Sequence, residues 1–134
     1  VMGESAPDVW IVAAAVLDFQ PAHASTKKLS SSETPAPVAL EPAPRLIESI
    51  RSRDPDGRII SFKLESGIDV EELISRAKSH MGRCHSDAVV ANLLENLDGS
   101  GPRAHLVTSD NVDEIYDLEH LCISIESIVS GWME

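Results

Sequence analysis

Polar side chains follow four apolar segments of the chain, at the points where strands are predicted to end. They are Asp18, Glu65, Asn92 and the pair Ser109–Asp110. In open sheets, ligands bind beyond the carboxyl ends of the strands, so these positions are the candidates for chemistry. A carboxylate such as that of Asp18 suits a sugar hydroxyl, a base edge or a cation, but aspartate also caps helices and forms turns. The pattern predicts a ligand site at the sheet edge without choosing among these roles.

Two adjacent lysines, Lys27 and Lys28, lie on a segment with the composition of a loop. Residues 19–44 hold five of the eight prolines and a serine triplet, with no helical period. Loops of this length in a compact domain are usually functional lids or disordered segments. Ammonium groups on a mobile loop can cover a triphosphate and follow its developing negative charge. Simple solvation of two exposed lysines is the alternative.

Metal and thiol chemistry find little support among the histidines and cysteines. Of the five histidines and two cysteines, only Cys84 and His85 are adjacent in sequence, and adjacent side chains point in different directions. A zinc site is therefore not predicted. Cys122 lies on the apolar stripe of the last predicted helix and is expected in the core. The glycines at 99–101 do not lie between a strand and a helix, so neither a dinucleotide fingerprint nor a P-loop is present.

Length, charge and hydropathy narrow the class of protein. The 134 residues predict a single domain over residues 1–134, and 43% apolar with 25% charged residues is typical of a globular chain. The formal charge of −11 repels a phosphate backbone, so nucleic acid is not an expected partner. The longest apolar run, residues 9–17, is about half of what a bilayer requires, so no membrane span is expected. The cysteine pattern favours a reducing, cytoplasmic location.

The hydrophobic pattern predicts an α/β fold. Residues 9–16 are continuously apolar, which is typical of a strand buried on both faces of a parallel sheet. Further strands are predicted at 58–64, 87–92 and 104–108, helices at 44–51, 70–82 and 118–132, and a candidate short strand at 38–40. Asp69 is the expected N-cap of the middle helix and Gly82 its end. This order implies a largely parallel sheet with helices on its faces.

Four segments, in order, resemble the second half of the phosphopantothenoylcysteine synthetase family, the phosphopantothenate–cysteine ligases of coenzyme A biosynthesis. The first is Ala-Ala-Ala-Val-Leu-Asp-Phe at 13–19, and the second is Lys28. The third is Ile-Ser-Phe-Lys-Leu-Glu at 60–65, and the fourth is Val-Val-Ala-Asn at 89–92. Together they cover residues 9–108. The third segment resembles the stand-alone eukaryotic type more than the bacterial form fused to a decarboxylase.

The resemblance implies a Rossmann-like domain that is incomplete relative to the full family domain and that dimerises through the arm at 19–44. It also implies a two-step ligation. The carboxylate of 4′-phosphopantothenate attacks ATP or CTP, with Mg²⁺, to give an acyl-nucleotide and pyrophosphate, and the amine of cysteine then displaces the nucleotide. Lys28 is the implied catalytic lid lysine. The implied nucleotide-binding residues are Ala14, Ala15, Asp18, Lys27, Phe62 and Lys63, and Asn92 is the implied substrate-binding residue.

Two departures from the family pattern leave alternatives open. The lysine cluster of the family lid is reduced here, because Lys28 is followed by Leu29-Ser30-Ser31. The first half of the family domain, with its glycine-rich loop, does not lie in these 134 residues. The chain is then a fragment, a split subunit that needs an N-terminal half for activity, or a degenerate relative. The alternative function is a non-catalytic nucleotide-binding or dimerisation module. The ligase hypothesis requires Asp18, Phe62 and Asn92 to converge on one crevice.

Overall fold

The computed structural model describes residues 5–14, 18–24, 26–28, 30–32 and 37–134. Its strands are β1 (Val9–Val12), β2 (Phe19–Pro21), β3 (Leu40–Pro42), β4 (Arg58–Glu65), β5 (Ala88–Leu93), β6 (Ala104–Val107) and β7 (Val112–Ile115). Its helices are α1 (Leu46–Arg53), α2 (Val70–Cys84) and α3 (Leu118–Met133), and a 3₁₀ helix spans Leu94–Asp98. The predicted α/β order is confirmed.

The main sheet has the strand order β1-β4-β5-β6-β7. The β1–β4 and β4–β5 pairs are parallel, and the β5–β6 and β6–β7 pairs are antiparallel. Four of the five strands therefore share one direction, and β6 alone opposes them. Only ten residues, 94–103, separate β5 from β6, whereas a parallel crossover needs a dozen or more. The short connection forces the reversal.

Both faces of the sheet are covered by helices. On one face, Ile60, Val90, Leu106 and Ile115 form a buried cluster against α3. On the other face, the α2 residues Leu73 and Ala77 pack on alternate residues of β5 and β6, namely Val89, Ala91 and Val107. The period-2 alternation of the strands separates these two sets. Of the helices formed by the described residues, none combines the length and hydropathy needed to cross a bilayer.

Helix ends follow capping chemistry, with one correction. Asp69 accepts a hydrogen bond from the backbone N–H of Glu72 at 2.8 Å, which confirms it as the N-cap of α2. The expected end at Gly82 is wrong. The helix continues to Cys84, and His85 takes the left-handed conformation at φ 53° while its N–H bonds to the carbonyl of Met81. Histidine occupies here the position at which glycine is commonest.

Several sequence expectations about strands need correction. Strand β1 ends at Val12 rather than at residue 16, and residues 15–17 lie outside the described part of the chain. The candidate strand at 38–40 is shifted to Leu40–Pro42 and pairs antiparallel with β2 of the same chain. Strand β7 was not predicted, because it has only two apolar residues, Val112 and Ile115, around two acids.

The thiols also differ from expectation. Cys122 is exposed rather than in the core, although it lies on the apolar helix α3, whereas Cys84 is buried. The α3 residues that contact the sheet cluster are Leu121, Ile125, Ile128, Val129 and Trp132. Cys122 follows Leu121 by one position, or about 100° around the helix axis, which turns it away from this contact face.

Candidate functional site

A cleft of about 560 Å³ opens on the α2 face of the sheet. Its walls come from the β2–β3 hairpin, the residues that begin α1, strand β4, and the last turns of α2. Asp18 and residues 42–44 line it from the hairpin side, and Arg45 from the start of α1. Lys63 lines it from β4. His80, Arg83 and Cys84 line it from α2.

The cleft is electropositive in an acidic protein. Three basic residues, Arg45, Lys63 and Arg83, line it, and Asp18 is the one carboxylate among its described lining residues. Arg45 also lies 3.8 Å from Glu48. The pKa of His80 is lowered, first by burial and then by repulsion from Lys63, Arg83 and Arg45. Cationic groups from β4, α2 and the start of α1 therefore all act on the imidazole of His80. In a chain of net charge −11 this local excess favours an anionic ligand over a cationic one.

Lys63 is held in place by a carboxylate two residues away. Because side chains alternate along a strand, Lys63 and Glu65 of β4 share one face, and Nζ lies 3.0 Å from Oε1. The other oxygen of Glu65 lies 3.1 Å from Arg76, which also pairs with Glu72 at 2.6 Å. The hydrogen bond from Lys63 holds the pKa of Glu65 below its ordinary value, against the opposing effect of burial. The network fixes the lysine at the wall of the cleft.

His80 and Cys84 lie one helical turn apart on α2. The imidazole Nδ1 is 3.7 Å from the thiol Sγ. The opposite ring nitrogen, Nε2, is buried and has no hydrogen-bond partner among the described residues. An imidazole can exchange a proton, and Nε2 is the ring nitrogen at which no described group holds one in place.

Sequence reasoning missed three of the residues that give the cleft its charge. Arg45, His80 and Arg83 follow no strand and match none of the quoted family segments. The available signal was helical spacing, since positions 80, 83 and 84 of a helix share one face. That face could be oriented only by knowing how α2 packs on the sheet.

The predicted site residues separate onto the two faces of the sheet. Asp18 and Lys63 line the cleft, whereas Phe62 packs into the cluster beneath α3. Asn92 donates a hydrogen bond from Nδ2 to the carbonyl of Arg103 at 3.0 Å, and its neighbour Ala91 belongs to the α2 face. The expectation that Asp18, Phe62 and Asn92 share one crevice is therefore wrong for this chain. Phe62 and Lys63 are adjacent, so strand alternation prevents their side chains from facing the same way.

The other predicted site residues that the structure describes do not line this cleft. Lys27 and Lys28 are exposed on the arm, and Ala14 is exposed just beyond β1. Ala15 lies outside the described residues. Ser109 and Asp110 follow β6, which runs antiparallel to its neighbours. They therefore lie at the opposite end of the strands from Glu65.

A larger opening, of about 1030 Å³, lies at the end of the sheet where Ser109 and Asp110 are found. Arg51 and Arg58, two of the cations that line it, already have partners in the fold. Arg58 pairs with Asp87 at 2.7 Å and lies 5.6 Å from the ring centroid of Trp132. Arg51 donates to the carbonyls of Pro55, Gly57 and His85 over 2.6–2.8 Å. The smaller cleft is the better candidate because its cations converge on one space.

The described residues provide no protein cage for a metal ion. They contain no cluster of three or more histidine, cysteine or acidic side chains. Asp18 is the one carboxylate that lines the cleft. Mg²⁺ commonly binds through one or two carboxylates together with substrate phosphates. The residues therefore fit an ion that enters with a nucleotide and do not fit a resident one.

Comparison with known proteins identifies the family. The model of the DNA/pantothenate metabolism flavoprotein C-terminal domain matches residues 2–120. The chain belongs to this family. The resemblance to phosphopantothenoylcysteine synthetases is thereby confirmed. As in other members of the DNA/pantothenate metabolism flavoprotein family, the fold is α/β with a mostly parallel sheet.

Two relatives and one solved structure give the extent of the similarity. The chain is 37% identical over 103 residues to the coenzyme A biosynthesis bifunctional protein CoaBC of Thermococcus kodakarensis, covering 77% of this chain and 25% of that one. It is 30% identical over 137 residues to the phosphopantothenate–cysteine ligase of Mus musculus, covering 97% of this chain and 39% of the ligase. The DNA/pantothenate metabolism flavoprotein of Streptococcus pneumoniae superposes with a TM-score of 0.79 at 19% identity, over 93% of this chain and 63% of that chain. The chain thus spans well under half the length of these curated relatives.

Proposed function

We propose that this chain supplies the nucleotide-binding part of a phosphopantothenate–cysteine ligase. The observation that carries the proposal is the convergence of Arg45, Lys63 and Arg83 with His80 on one cleft of an acidic domain. The name of the mouse relative supports the choice of reaction. In this reaction the carboxylate of 4′-phosphopantothenate attacks the α-phosphorus of ATP or CTP and releases pyrophosphate. The amine of cysteine then attacks the acyl carbon and releases the nucleoside monophosphate.

In this proposal the residues of the cleft stabilise negative charge on the nucleotide. Guanidinium and ammonium groups fixed around a triphosphate neutralise charge that accumulates on the leaving pyrophosphate. Lys63 is prearranged by Glu65, so little reorganisation is needed when the nucleotide binds. In this proposal Asp18, which lines the cleft, accepts a hydrogen bond from a ribose hydroxyl. Phe62 and Asn92 receive no role here, because they belong to the other face. The proposal therefore drops the requirement that they share a crevice with Asp18, and it is supported by the family match and the charged cleft instead.

Lys28 completes the proposed site from the arm. An exposed lysine on the connection between β2 and β3 can close over the phosphates and exclude water from the acyl-nucleotide. Mg²⁺ bound to the nucleotide would supply further charge neutralisation. The proposal includes a cytoplasmic location, a homodimer formed through the arm, and an N-terminal portion that provides the rest of the substrate site.

A chimera tests the proposal directly. This chain would replace its matching segment in the mouse ligase, and pyrophosphate release would be measured with phosphopantothenate, cysteine, MgCl₂ and either ATP or CTP. We expect turnover in the chimera and its loss when Arg45 and Arg83 are both replaced by alanine. The exposed Arg103→Ala variant is the matched control and should retain turnover. A chimera that folds by circular dichroism and binds nucleotide without releasing pyrophosphate would instead support a non-catalytic module of the same fold.

A further inference from the structure

The imidazole of His80 lies among charged groups from every element around it. Lys63 approaches from β4 and Arg45 from the start of α1, while Arg83 and Cys84 lie on the same helix as His80. Asp18 lines the cleft from the hairpin side. Three cations thus act on one titratable ring, and Asp18 is the one carboxylate among the described residues that line the cleft. Two of the cations also have acidic partners, because Lys63 lies 3.0 Å from Glu65 and Arg45 lies 3.8 Å from Glu48. In the absence of an anion, a positive charge on this ring is disfavoured by both burial and repulsion.

The two nitrogens of the ring are in different situations. Nδ1 lies 3.7 Å from the sulfur of Cys84, so it has a weak partner within the protein. Nε2 is buried, and no described group donates to it or accepts from it. Buried polar atoms normally have a partner, so Nε2 is the position at which the ring can take up a proton, and the residue that carries it lines the cleft.

We propose that polyphosphate binding in this cleft is proton-linked, with His80 taking up a proton as the anion enters. This inference rests on the proposed function and adds to it a dependence on pH. The proton taken up would leave the ring as an imidazolium with both nitrogens protonated, and the negative charge of the bound phosphate would stabilise that imidazolium.

The direction of the effect follows from the charges around the ring. In the free protein the pKa of His80 is lowered by burial first and by Lys63, Arg83 and Arg45 next. A bound polyphosphate neutralises those three cations and places negative charge near the imidazole, so the pKa rises on binding. The bound state therefore holds more protons than the free state between the two pKa values. Affinity should rise as pH falls through that window, by at most about tenfold per pH unit for one proton, and should level off below it.

Calorimetry with sodium tripolyphosphate measures this linkage without requiring turnover. Titrations from pH 5.5 to 8.5, each in two buffers of different ionisation enthalpy, give the number of protons taken up per ligand bound. We expect His80→Gln to take up fewer protons than the wild-type chain and to lose the corresponding part of the pH dependence. His120→Gln changes an exposed histidine of α3 and is the matched control, which should behave like the wild type. Protonation of the ligand itself is common to all three proteins and cancels in the comparison.

A second measurement needs no substitution at His80. The ring resonances of His80 in the wild-type chain, followed by NMR against pH with and without tripolyphosphate, should show a higher pKa in the bound protein. Equal proton uptake in the wild type and His80→Gln, or an unchanged pKa on binding, would overturn the inference while leaving the ligase proposal standing. Failure of tripolyphosphate to bind, or binding that Arg45→Ala and Arg83→Ala do not weaken, would remove the nucleotide cleft and with it both proposals.

Discussion

The indole Nε1 of Trp10 donates a hydrogen bond to Oδ2 of Asp54 over 2.8 Å, although 44 positions separate the two residues. The bond joins strand β1, at the edge of the sheet, to the turn after α1. The second oxygen of the same carboxylate accepts from the N–H of Gly57 at 2.9 Å. One side chain therefore holds the edge strand and the turn that leads into β4, the strand on which Lys63 lies.

Replacing Gly57 by alanine should disrupt this junction. A Cβ at this position would lie 2.0 Å from Oδ2 and 2.6 Å from Cγ of Asp54, so the carboxylate must move and both of its hydrogen bonds are put at risk. We expect a loss of about 1–3 kcal/mol in the free energy of unfolding, measured by urea denaturation. Gly82→Ala is the matched control. No atom lies within 4 Å of its added Cβ, and alanine in a helix should add up to about 1 kcal/mol. Equal effects at the two sites would contradict the role given to Asp54.

Arg51 should not tolerate lysine. Its guanidinium donates to the carbonyls of Pro55 and Gly57 at 2.8 Å and to that of His85 at 2.6 Å, and thereby ties α1 to the end of α2. A lysine ammonium lacks the planar fork that reaches several acceptors at once. We expect Arg51→Lys to cost about 1–3 kcal/mol by the same denaturation assay. The exposed Arg103→Lys change should stay within about 0.5 kcal/mol, and a comparable loss there would show that the assay does not report this cluster.

The stability of the chain should depend on pH through Glu65. Its pKa is lowered in the folded state, chiefly by the hydrogen bond from Lys63, so its contribution is present above the ordinary glutamate pKa and is lost as pH falls through the folded value. The difference in unfolding free energy between wild type and Glu65→Gln should therefore shrink on acidification from pH 6 to pH 3. Water screens this surface network, so the difference should be under about 1 kcal/mol.

A double-mutant cycle checks the cause of that difference. In a Lys63→Met background the principal partner is absent, so Glu65→Gln should show less pH dependence than it does beside the native lysine. An unchanged dependence would mean that Arg76, rather than Lys63, controls the carboxylate.

Substitution of Lys28 by alanine should separate activity from stability. As an exposed residue on the arm it supports little of the fold, so the unfolding free energy should change by less than about 0.5 kcal/mol. If it covers the phosphates, pyrophosphate release by the mouse chimera should fall on the order of 10–100-fold. Lys78→Ala removes an exposed lysine of α2 that lines the larger opening and not the cleft, and it should leave turnover unchanged. Equal rates in the two variants would argue against a lid.

The periodicity of hydrophobic residues predicted most of the strands and helices, but not the directions in which the strands run. Strands β4 and β5 and helices α2 and α3 appear within a few residues of their predicted positions, because each has a strong apolar pattern of its own. The reversal of β6 depends on the length of its connection to β5. That length can be counted in the sequence, but no hydrophobic pattern marks it. Strand β7 pairs only with β6, and its two central acids are exposed, so its local pattern is weak.

The sequence by itself determined the family segments, the acidic charge, the α/β order and the presence of Asp18 and Lys63. Only the tertiary structure decided which side chains meet. Strand alternation sends Lys63 into the cleft and Phe62 beneath α3, and the packing of α2 on the sheet brings His80 and Arg83 to a lysine about twenty positions earlier. A hydrophobic pattern specifies that a face is buried. Which polar groups then line the same cleft depends on how the helices and strands pack. That packing is set by contacts between residues far apart in the sequence.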